Sequence, residues 1–195
     1  IGTLTRRTGK YSDTTIENEI EFRAADRNEH ELKMLEIRKF LMSTGRIVYT
    51  DMEEYYFLVK KVSIDDIKKK YGIFGNVTVT FTCDPVMYLQ EGDVSVPISG
   101  TLRLYNPWSE SHPIFKISGE GVCKITVNGK EVSANVGQNL LINADLMQAY
   151  RKDGVLNNTA ITGDYEDLYL QERLNEISVS SGFSAEVIPK WGVRL

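Results

Sequence analysis

The chain has 195 residues, of which 42% are hydrophobic and 26% charged, which excludes the disordered and fibrous classes and allows one large domain or two small ones. No apolar run approaches the roughly 20 residues that a membrane helix needs, and the polar start contains no secretory signal. The net charge is −4, and residues 1–90 carry 14 basic and 14 acidic residues, so the charge balance does not favour the concentrated basic face that nucleic-acid binding needs.

The first predicted element is a strand. Residues 1–15 are polar and indicate an extended arm. From Thr15 to Ala24, Ile16, Ile20 and Phe22 stand on alternate positions between polar residues. A period of two predicts a strand with one face buried.

A helix follows this strand. Asp26 is a candidate N-cap, and Glu29 three residues later completes the pattern of a capping box. Gly45 is the expected end of the helix. The apolar residues that share one helical face, and so predict the side turned to the core, are Met34, Ile37 and Leu41.

Three further strands complete the predicted first domain. Ile47–Thr50 and Tyr55–Val62 are typical of a hairpin around Asp51–Glu54. The stretch 77–82 alternates Val or Phe with Thr, which predicts a strand compatible with a sheet edge that is broken at Pro85.

One basic run, Lys68–Lys70, follows Asp65 and Asp66. A run this short next to two acids favours a solvated turn over a polyanion site. We therefore expect no nucleic-acid partner.

After Gly92 the pattern predicts a β-sandwich without a helix, because short strand-like runs follow each other at roughly ten-residue intervals. Asn128-Gly129 predicts a two-residue type I′ hairpin turn, and Gly119-Glu120-Gly121 predicts a tight turn between two strands. The domains are therefore expected at 1–91 and 92–195. The predicted strands are 94–99, 102–105, 114–118, 122–127, 131–136, 140–144, 146–151, 176–180 and 183–189.

The chemistry-bearing residues predict no enzyme. A nucleophilic triad needs a Ser or Cys beside an oriented His, but His30 and His112 stand at ordinary helix-start and strand-start positions. Cys83 and Cys123 are 40 residues apart, which favours free thiols in a reducing cytosol over a disulfide framework. Neither the Cys and His spacing nor the adjacent acids indicate a metal, a cofactor or a glycosidase site. These acids are Glu53-Glu54, Asp65-Asp66 and Glu166-Asp167.

Aromatic residues supply the candidate contact sites. Tyr55, Tyr56 and Phe57 cannot all face one side of a strand, which predicts either packing within the first domain or a contact between subunits. In the second domain, Tyr105 and Trp108 are the candidates for contact with a glycan or a protein partner. Core or rim packing is nevertheless the favoured explanation for the aromatics of this domain, which also include Tyr150 and Tyr165.

The order of several motifs resembles the siphophage distal tail protein family, a Dit-like group of phage tail components. Thr5–Tyr11 looks like the family's entry from the arm into the first strand, and Phe81–Tyr88, with Cys83-Asp84-Pro85, looks like its closing strand. The second-domain motifs that fall in the family's order are Asn106-Pro107, Pro113, Gly119-Glu120-Gly121, Val127-Asn128-Gly129, Asp145–Tyr150 and Leu174–Ile177.

This resemblance implies a mainly β, α+β fold with one helix in the first domain and a galectin-like or carbohydrate-module-like β-sandwich in the second. It implies a structural hub at the tail tip of a phage or prophage, assembled in the host bacterial cytoplasm as a homohexameric ring. Implied partners are the tail tube protein, the tail-associated hub or fibre protein, and a receptor-binding protein or cell-wall glycan. A belt segment of about forty residues is expected before the arm. The alternative function is a carbohydrate-binding module for host adsorption.

Overall fold

The computed structural model describes residues 12–65, 68–70 and 73–195. Two compact units divide the chain: the first ends at Met87 and includes Arg194 and Leu195, and the second comprises Tyr88–Val193. Each unit contains a β-sheet, and the first also contains an α-helix, which confirms the predicted mainly β, α+β fold class. The predicted division after residue 91 falls inside the short 3₁₀ helix Gln90–Asp93, and the assignment of domains stays a prediction.

The first unit is built around one β-sheet and one helix. Its elements are β1 Thr14–Arg23, α1 Arg27–Met42, β2 Arg46–Ile47, β3 Tyr55–Ile64, β4 Lys68–Lys70 and β5 Phe74–Leu89. The strand order in the sheet is β1-β5-β3-β2, and β4 also pairs with β5. The core consists of residues from the helix and from one face of this sheet, among them Leu41, Phe57, Val77 and Val79.

The first strand has the predicted alternation. Along β1, half-buried and exposed residues alternate, and Ile16 and Ile20 pack against the core. The strand pairs antiparallel with β5 from Thr14 opposite Cys83 to Arg23 opposite Phe74. The period of two in the sequence therefore marks a strand buried on one side only.

The predicted capping signal begins the helix. The Asp26 carboxylate accepts a hydrogen bond from the Glu29 backbone N–H at 2.9 Å, and the Glu29 carboxylate accepts one from the Ala25 N–H. These contacts satisfy two donors that a helix start would otherwise leave unpaired. The helix ends at Met42, before the predicted stop at Gly45, with Ser43 as its C-cap.

The predicted edge position and break of the third long strand are wrong. β5 lies between β1 and β3 in the sheet and continues through Asp84 and Pro85 to Leu89. Pro85 is tolerated because the ladder with β1 has already ended at Cys83, so the missing proline N–H breaks no bond to that strand. The Pro85 carbonyl accepts a hydrogen bond from the Leu195 N–H at 2.9 Å.

The basic run is also different from the prediction. Lys68–Lys70 form strand β4, which pairs antiparallel with Asn76, Gly75 and Phe74 of β5, instead of a turn. Backbone hydrogen bonding along the partner strand overrides the local preference of a charged run for a turn.

The second sheet consists of eight strands in one hydrogen-bonded network. These strands are β6 Val96–Ile98, β7 Thr101–Asn106, β8 Ile114–Val127, β9 Lys130–Asn143, β10 Gln148–Tyr150, β11 Ile161–Thr162, β12 Arg173–Val179 and β13 Ser184–Ile188. β8 and β9 pair along their whole length, and β12 and β13 pair with the two ends of β8. The order β10-β9-β8-β12-β7 is completed by β11 on β9 and by β6 on β13. The last strand, β14 Gly192–Arg194, is not part of this network and pairs with β5.

The Asn-Gly hairpin turn is confirmed. Asn128 and Gly129 connect β8 to β9 with φ angles of 51° and 84°, and Val127 pairs with Lys130. Two successive positive φ angles are the signature of the type I′ turn, which matches the natural twist of a hairpin.

The predicted turn at Gly119-Glu120-Gly121 is wrong, because these residues lie inside the single strand β8. Gly119 and Gly121 have φ angles of 151° and 107°, and Gln138, opposite Gly119, has a φ of 72°. These angles bend the hairpin without breaking its pairing. The bend separates the half of β8 that pairs with β13 from the half that pairs with β12, as in sandwiches whose strands change layer at a corner.

Candidate interaction surfaces

The aromatic run of β3 is largely used for packing inside the first unit. Tyr56 and Phe57 are buried, and Tyr55 is half-buried. The Arg46 guanidinium lies over the Tyr56 ring at 5.2 Å, and Tyr49 meets Phe57 edge-on at 6.4 Å between ring centroids. A subunit contact by this run stays a prediction, and Tyr55 is the ring that keeps the most surface for it.

The two candidate aromatics of the second unit have different environments. Tyr105 is 66% exposed on β7 and stands directly opposite Leu174 of β12, which is 57% exposed. Trp108 lies in the loop after β7 and is half-buried, and its indole N–H is shielded from solvent. Tyr105 and Leu174 therefore form an exposed apolar pair, whereas Trp108 offers little ring surface.

The outer face of α1 is an apolar surface that the sequence analysis missed. While Met34 and Leu41 face the core as predicted, three apolar side chains on the opposite side are between 62% and 65% exposed. We define the outer helix face by these three residues, which are Leu32, Leu35 and Met42. Phe40 is 73% exposed but lies on the flank of the helix, between this face and the core-facing side. Single exposed apolar residues are ordinary, but three on one helix face mark an interaction surface.

A signal for this surface was present in the sequence. Leu32, Leu35 and Met42 follow the spacing i, i+3, i+10, with Lys39 at i+7, and form a second helical stripe apart from the one that faces the core. A helix with two apolar stripes predicts two packing partners. Only the structure shows which stripe the first unit covers.

The other outward surface of the first unit is the sheet face turned away from the helix. Ile16 and Ile20 of β1 point to the core, so Glu17, Glu19 and Glu21 point to the opposite face, where all three are exposed. Their partners on β5 are Thr80, Thr78 and Asn76. We call the surface formed by Glu17, Glu19, Glu21, Thr78 and Thr80 the outer sheet face.

Charges on the outer sheet face are only partly compensated. Asn76 donates to Glu21 at 3.3 Å, whereas Glu17 and Glu19 have no ion-pair partner within the described part of the chain. Lys60 is already engaged by Asp13 at 2.6 Å and Asp84 at 2.7 Å. These hydrogen bonds to two carboxylates raise the pKa of the Lys60 ammonium.

The two histidines have different surroundings. His30 is buried beneath the first turn of α1, with the Phe22 ring at 5.0 Å. His112 pairs through Nδ1 with Asp145 at 2.8 Å and stacks on Tyr169 at 4.0 Å. The other ring nitrogen of His112 lies 3.8 Å from a Glu110 carboxylate oxygen, which is an acceptor and not a nucleophilic hydroxyl.

The thiols are also placed for packing. Cys83 and Cys123 are free and completely buried, one in each unit. Burial raises the pKa of both thiols, which disfavours the reactive thiolate. Among residues 12–65, 68–70 and 73–195, no group of three His, Cys, Asp or Glu side chains could hold a metal ion, and no helix is long and apolar enough to span a membrane.

The asparagines of two family-like motifs form a buried structural network. Asn106 donates to the backbone carbonyls of Ser109 and Gln171, and its side-chain oxygen accepts from the backbone N–H of Trp108. Asn175 accepts from the Gln171 N–H at 2.8 Å and donates to the Gln171 carbonyl at 2.8 Å. Both side chains therefore fasten the segment that leads into β12, since buried polar groups must be satisfied inside the fold.

Comparisons with known proteins support the same fold. No family model matches the sequence, and no curated protein matches it. The crystal structure of the Dit protein of SPP1, described as a paradigm of the hub adsorption apparatus in phages that infect Gram-positive bacteria, is similar with a TM-score of 0.61. The two chains are 15% identical, and the match covers 91% of this chain and 79% of that chain. The resemblance to the Dit-like family is thus confirmed at the level of the fold.

Proposed function

We propose that this chain is a structural component of the adsorption apparatus at the tip of a long non-contractile phage or prophage tail. It forms a ring hub that joins the tail tube to the parts that contact the host. The observation that carries the proposal is a fold similar to that of a phage hub protein over 91% of the chain. Both units take part in that match, so it is not limited to one common β-sandwich.

The surfaces of the chain favour assembly over chemistry. The first unit exposes three large apolar side chains on the outer helix face and a fourth, Phe40, on the flank of the same helix, whereas the cysteines are buried and His112 is engaged with Asp145. A protein whose exposed apolar residues cluster on a regular element is typical of a subunit that binds other subunits. The proposal includes no catalytic activity.

The proposed assembly is a homohexamer whose partners are the tail tube protein and the tail-associated hub or fibre protein. The second unit, proposed to be a galectin-like β-sandwich, would bind a receptor-binding protein or contact cell-wall glycan. Its proposed location is the virion tail tip, after assembly in the host cytoplasm. The near-neutral charge balance of residues 1–90 supports a ring, because like charges repeated around it would repel.

The decisive test is the mass of the native assembly. Light scattering and native mass spectrometry of the full-length gene product are expected to give a six-fold assembly of the subunit mass. Immunogold labelling with an antibody against this chain should mark one end of the tail in electron micrographs of intact virions. A persistent monomer at every accessible concentration, together with unlabelled virions, would contradict the proposal.

A second candidate function is carbohydrate binding by the second unit, and one observation favours it. Tyr105 presents an exposed ring beside Leu174, and Arg103 pairs with Glu176 at 2.9 Å on the neighbouring positions of the same two strands. An exposed aromatic face flanked by polar groups can stack on a sugar ring. The shielded indole of Trp108 is less suited to that role.

A glycan array separates this candidate from a purely structural role. Under the carbohydrate hypothesis, the wild-type chain binds host-wall polysaccharides, and Tyr105→Ala abolishes the binding signal. Trp108→Ala keeps the signal, because the exposed ring of Tyr105 stays in place. No binding by the wild-type chain across host-wall polysaccharides would exclude this candidate and leave the hub proposal unaffected.

A further inference from the structure

We infer that the outer helix face of one copy of this chain packs against the outer sheet face of the next copy. This inference rests on the proposed ring function and assigns its subunit interface to two surfaces of the first unit. It names the occupant of the outer helix face as a second copy of the same chain.

The helix supplies the apolar part of the contact. Leu32, Leu35 and Met42 cover the side of α1 that the core leaves open. The outer sheet face offers a flat row of half-buried threonines, including Thr78 and Thr80, whose methyl groups can receive such side chains. Helices pack on sheets by this kind of contact within domains, and interface cores resemble domain cores.

Charge complementarity selects the sheet face of another copy as the partner. Arg38 and Lys39 stand beside Leu35 and Met42 on α1, both are exposed, and neither has an ion-pair partner in the described ranges. Across the proposed contact, Glu17 and Glu19 are also exposed and unpaired. Two cations and two carboxylates without ion-pair partners among the described residues of one copy would pair with each other between copies.

The positions of the two surfaces favour a ring over a symmetric dimer. α1 packs on one face of the sheet through Ile37 and Leu41, and Glu17 and Glu19 point away from that face. The outer helix face and the outer sheet face therefore point in opposite directions. Two different complementary patches on opposite sides of a subunit create a head-to-tail interface, which closes into a ring when the rotation allows it.

The test exchanges the charges on the two surfaces and measures self-association of the full chain by sedimentation velocity over a range of concentrations. The sheet variant carries Glu17→Lys and Glu19→Lys, and the helix variant carries Arg38→Glu and Lys39→Glu. Each variant replaces attraction by repulsion, so each is expected to weaken self-association by about tenfold or more. All four positions are exposed, and circular dichroism is expected to show unchanged folding.

Rescue distinguishes this interface from a general charge effect. An equimolar mixture of the two variants restores association, because each sheet then meets an oppositely charged helix, and a chain with all four exchanges associates by itself. A control with Glu120→Lys and Glu172→Lys changes the net charge by the same amount as the sheet variant, at exposed positions of the second unit, and should associate like the wild type.

The outcomes separate this inference from the proposed function. If the wild type forms rings and both variants form them equally well, the interface lies elsewhere and the hub proposal stands. Loss of association without rescue by the mixture also overturns the pairing of these charges. If the wild type never self-associates, even when chemical cross-linking is used to trap weak contacts, both the interface and the ring are overturned.

A zero-length cross-link gives an independent readout. A carbodiimide joins a lysine amine to a carboxylate only when the two are in contact, so Lys39 is expected to link to Glu17 or Glu19. Mixing isotope-labelled with unlabelled chains should show by mass spectrometry that the link joins different copies, because the two surfaces of one copy point apart. Other carboxylate–lysine links without this one would contradict the interface.

Discussion

The buried cysteines and asparagines of this protein serve packing and hydrogen bonding. Cys83 and Cys123 are apolar core residues in chemical terms, and Asn106 and Asn175 are buried amides whose polar atoms all serve the fold. The asparagine motifs that resemble a family pattern thus have a structural explanation. A polar residue in a motif does not by itself indicate a binding site, because the interior also requires polar partners for its backbone.

The buried cysteines lead to a prediction about thiol reactivity. Because their thiols are inaccessible and have raised pKa values, we expect both to react with a colorimetric thiol reagent at pH 8 at least about a hundredfold more slowly in the native protein than in urea. Two equivalents should be released on unfolding. Rapid labelling of a thiol in the native state would show that the burial of that residue is wrong.

At Asn128, the turn geometry and the side-chain hydrogen bonds make separate contributions to the free energy of unfolding. Its amide donates to Asn175 at 2.8 Å and accepts from the Glu176 N–H at 2.9 Å. Asn128→Gly keeps the positive φ angle but removes these bonds, so we expect a loss of about 1–2 kcal/mol in the free energy of unfolding. Asn128→Ala adds backbone strain and should cost more. Equal stability of all three proteins in urea denaturation would contradict both contributions.

At the scale of elements, the local signals decide what each segment becomes but not where it ends. The capping signal at Asp26 begins α1, and the Asn-Gly pair closes the hairpin between β8 and β9. In contrast, Gly119 and Pro85 both look like strand ends in the sequence and both lie inside strands. At these positions, pairing with neighbouring strands outweighs the local preference of glycine or proline, because continued hydrogen bonding stabilises the strand by more than the glycine or proline destabilises it.

The bend in β8 gives a prediction at Gly119. A Cβ atom there would lie 2.5 Å from Cδ1 of Phe183, and the φ angle of 151° disfavours other residues. Gly119→Ala is therefore expected to lower the free energy of unfolding by about 1–3 kcal/mol. Gly137→Ala on the paired strand is the matched control, because no atom lies within 4 Å of its added Cβ. Similar stabilities of the two variants would show that the bend does not depend on glycine.

Lys60 joins three segments of the first unit and gives a pH-dependent prediction. The side chains of Lys60 and Asp13 are nearly half exposed, so Lys60→Met should cost only about 1 kcal/mol at pH 7, measured by urea denaturation. Lys61→Met, at an exposed neighbouring position, is the control. Because the pKa of Lys60 is raised in the folded protein, its contribution to stability is complete at pH values below the pKa of lysine in the unfolded chain, about 10.4. The contribution is lost as the pH rises through the folded pKa. A stability difference that stays constant up to pH 12 would contradict this account.

At the scale of the whole molecule, the chain consists of two units with different expected roles. The first unit carries the outer helix face and the outer sheet face, and the second carries the exposed pair Tyr105 and Leu174. In the proposed hub, the first unit closes the ring and the second meets other parts of the tail or the host. Separate units allow the second surface to change without disturbing the ring.

The independence of the second unit can be tested directly. Because its strands enclose their own buried residues, including Phe115, Ile125, Ile142 and Val187, residues 88–193 are expected to fold alone. Dispersed amide resonances and a cooperative thermal transition of this fragment would agree with that expectation. A collapsed fragment without cooperative unfolding would show that the unit depends on the rest of the chain.

The sequence by itself determined the fold class, the helix start, the hairpin turn and the family resemblance, because each depends on neighbouring residues or on the order of short motifs. Only the tertiary structure decided that β5 is a central strand, that β8 and β9 are bent but continuous, and that one of the two apolar stripes of α1 stays uncovered. The physical reason is that burial and strand pairing join residues far apart in the chain. A local pattern can show that a face is apolar, but only the folded chain shows which face remains open to a partner.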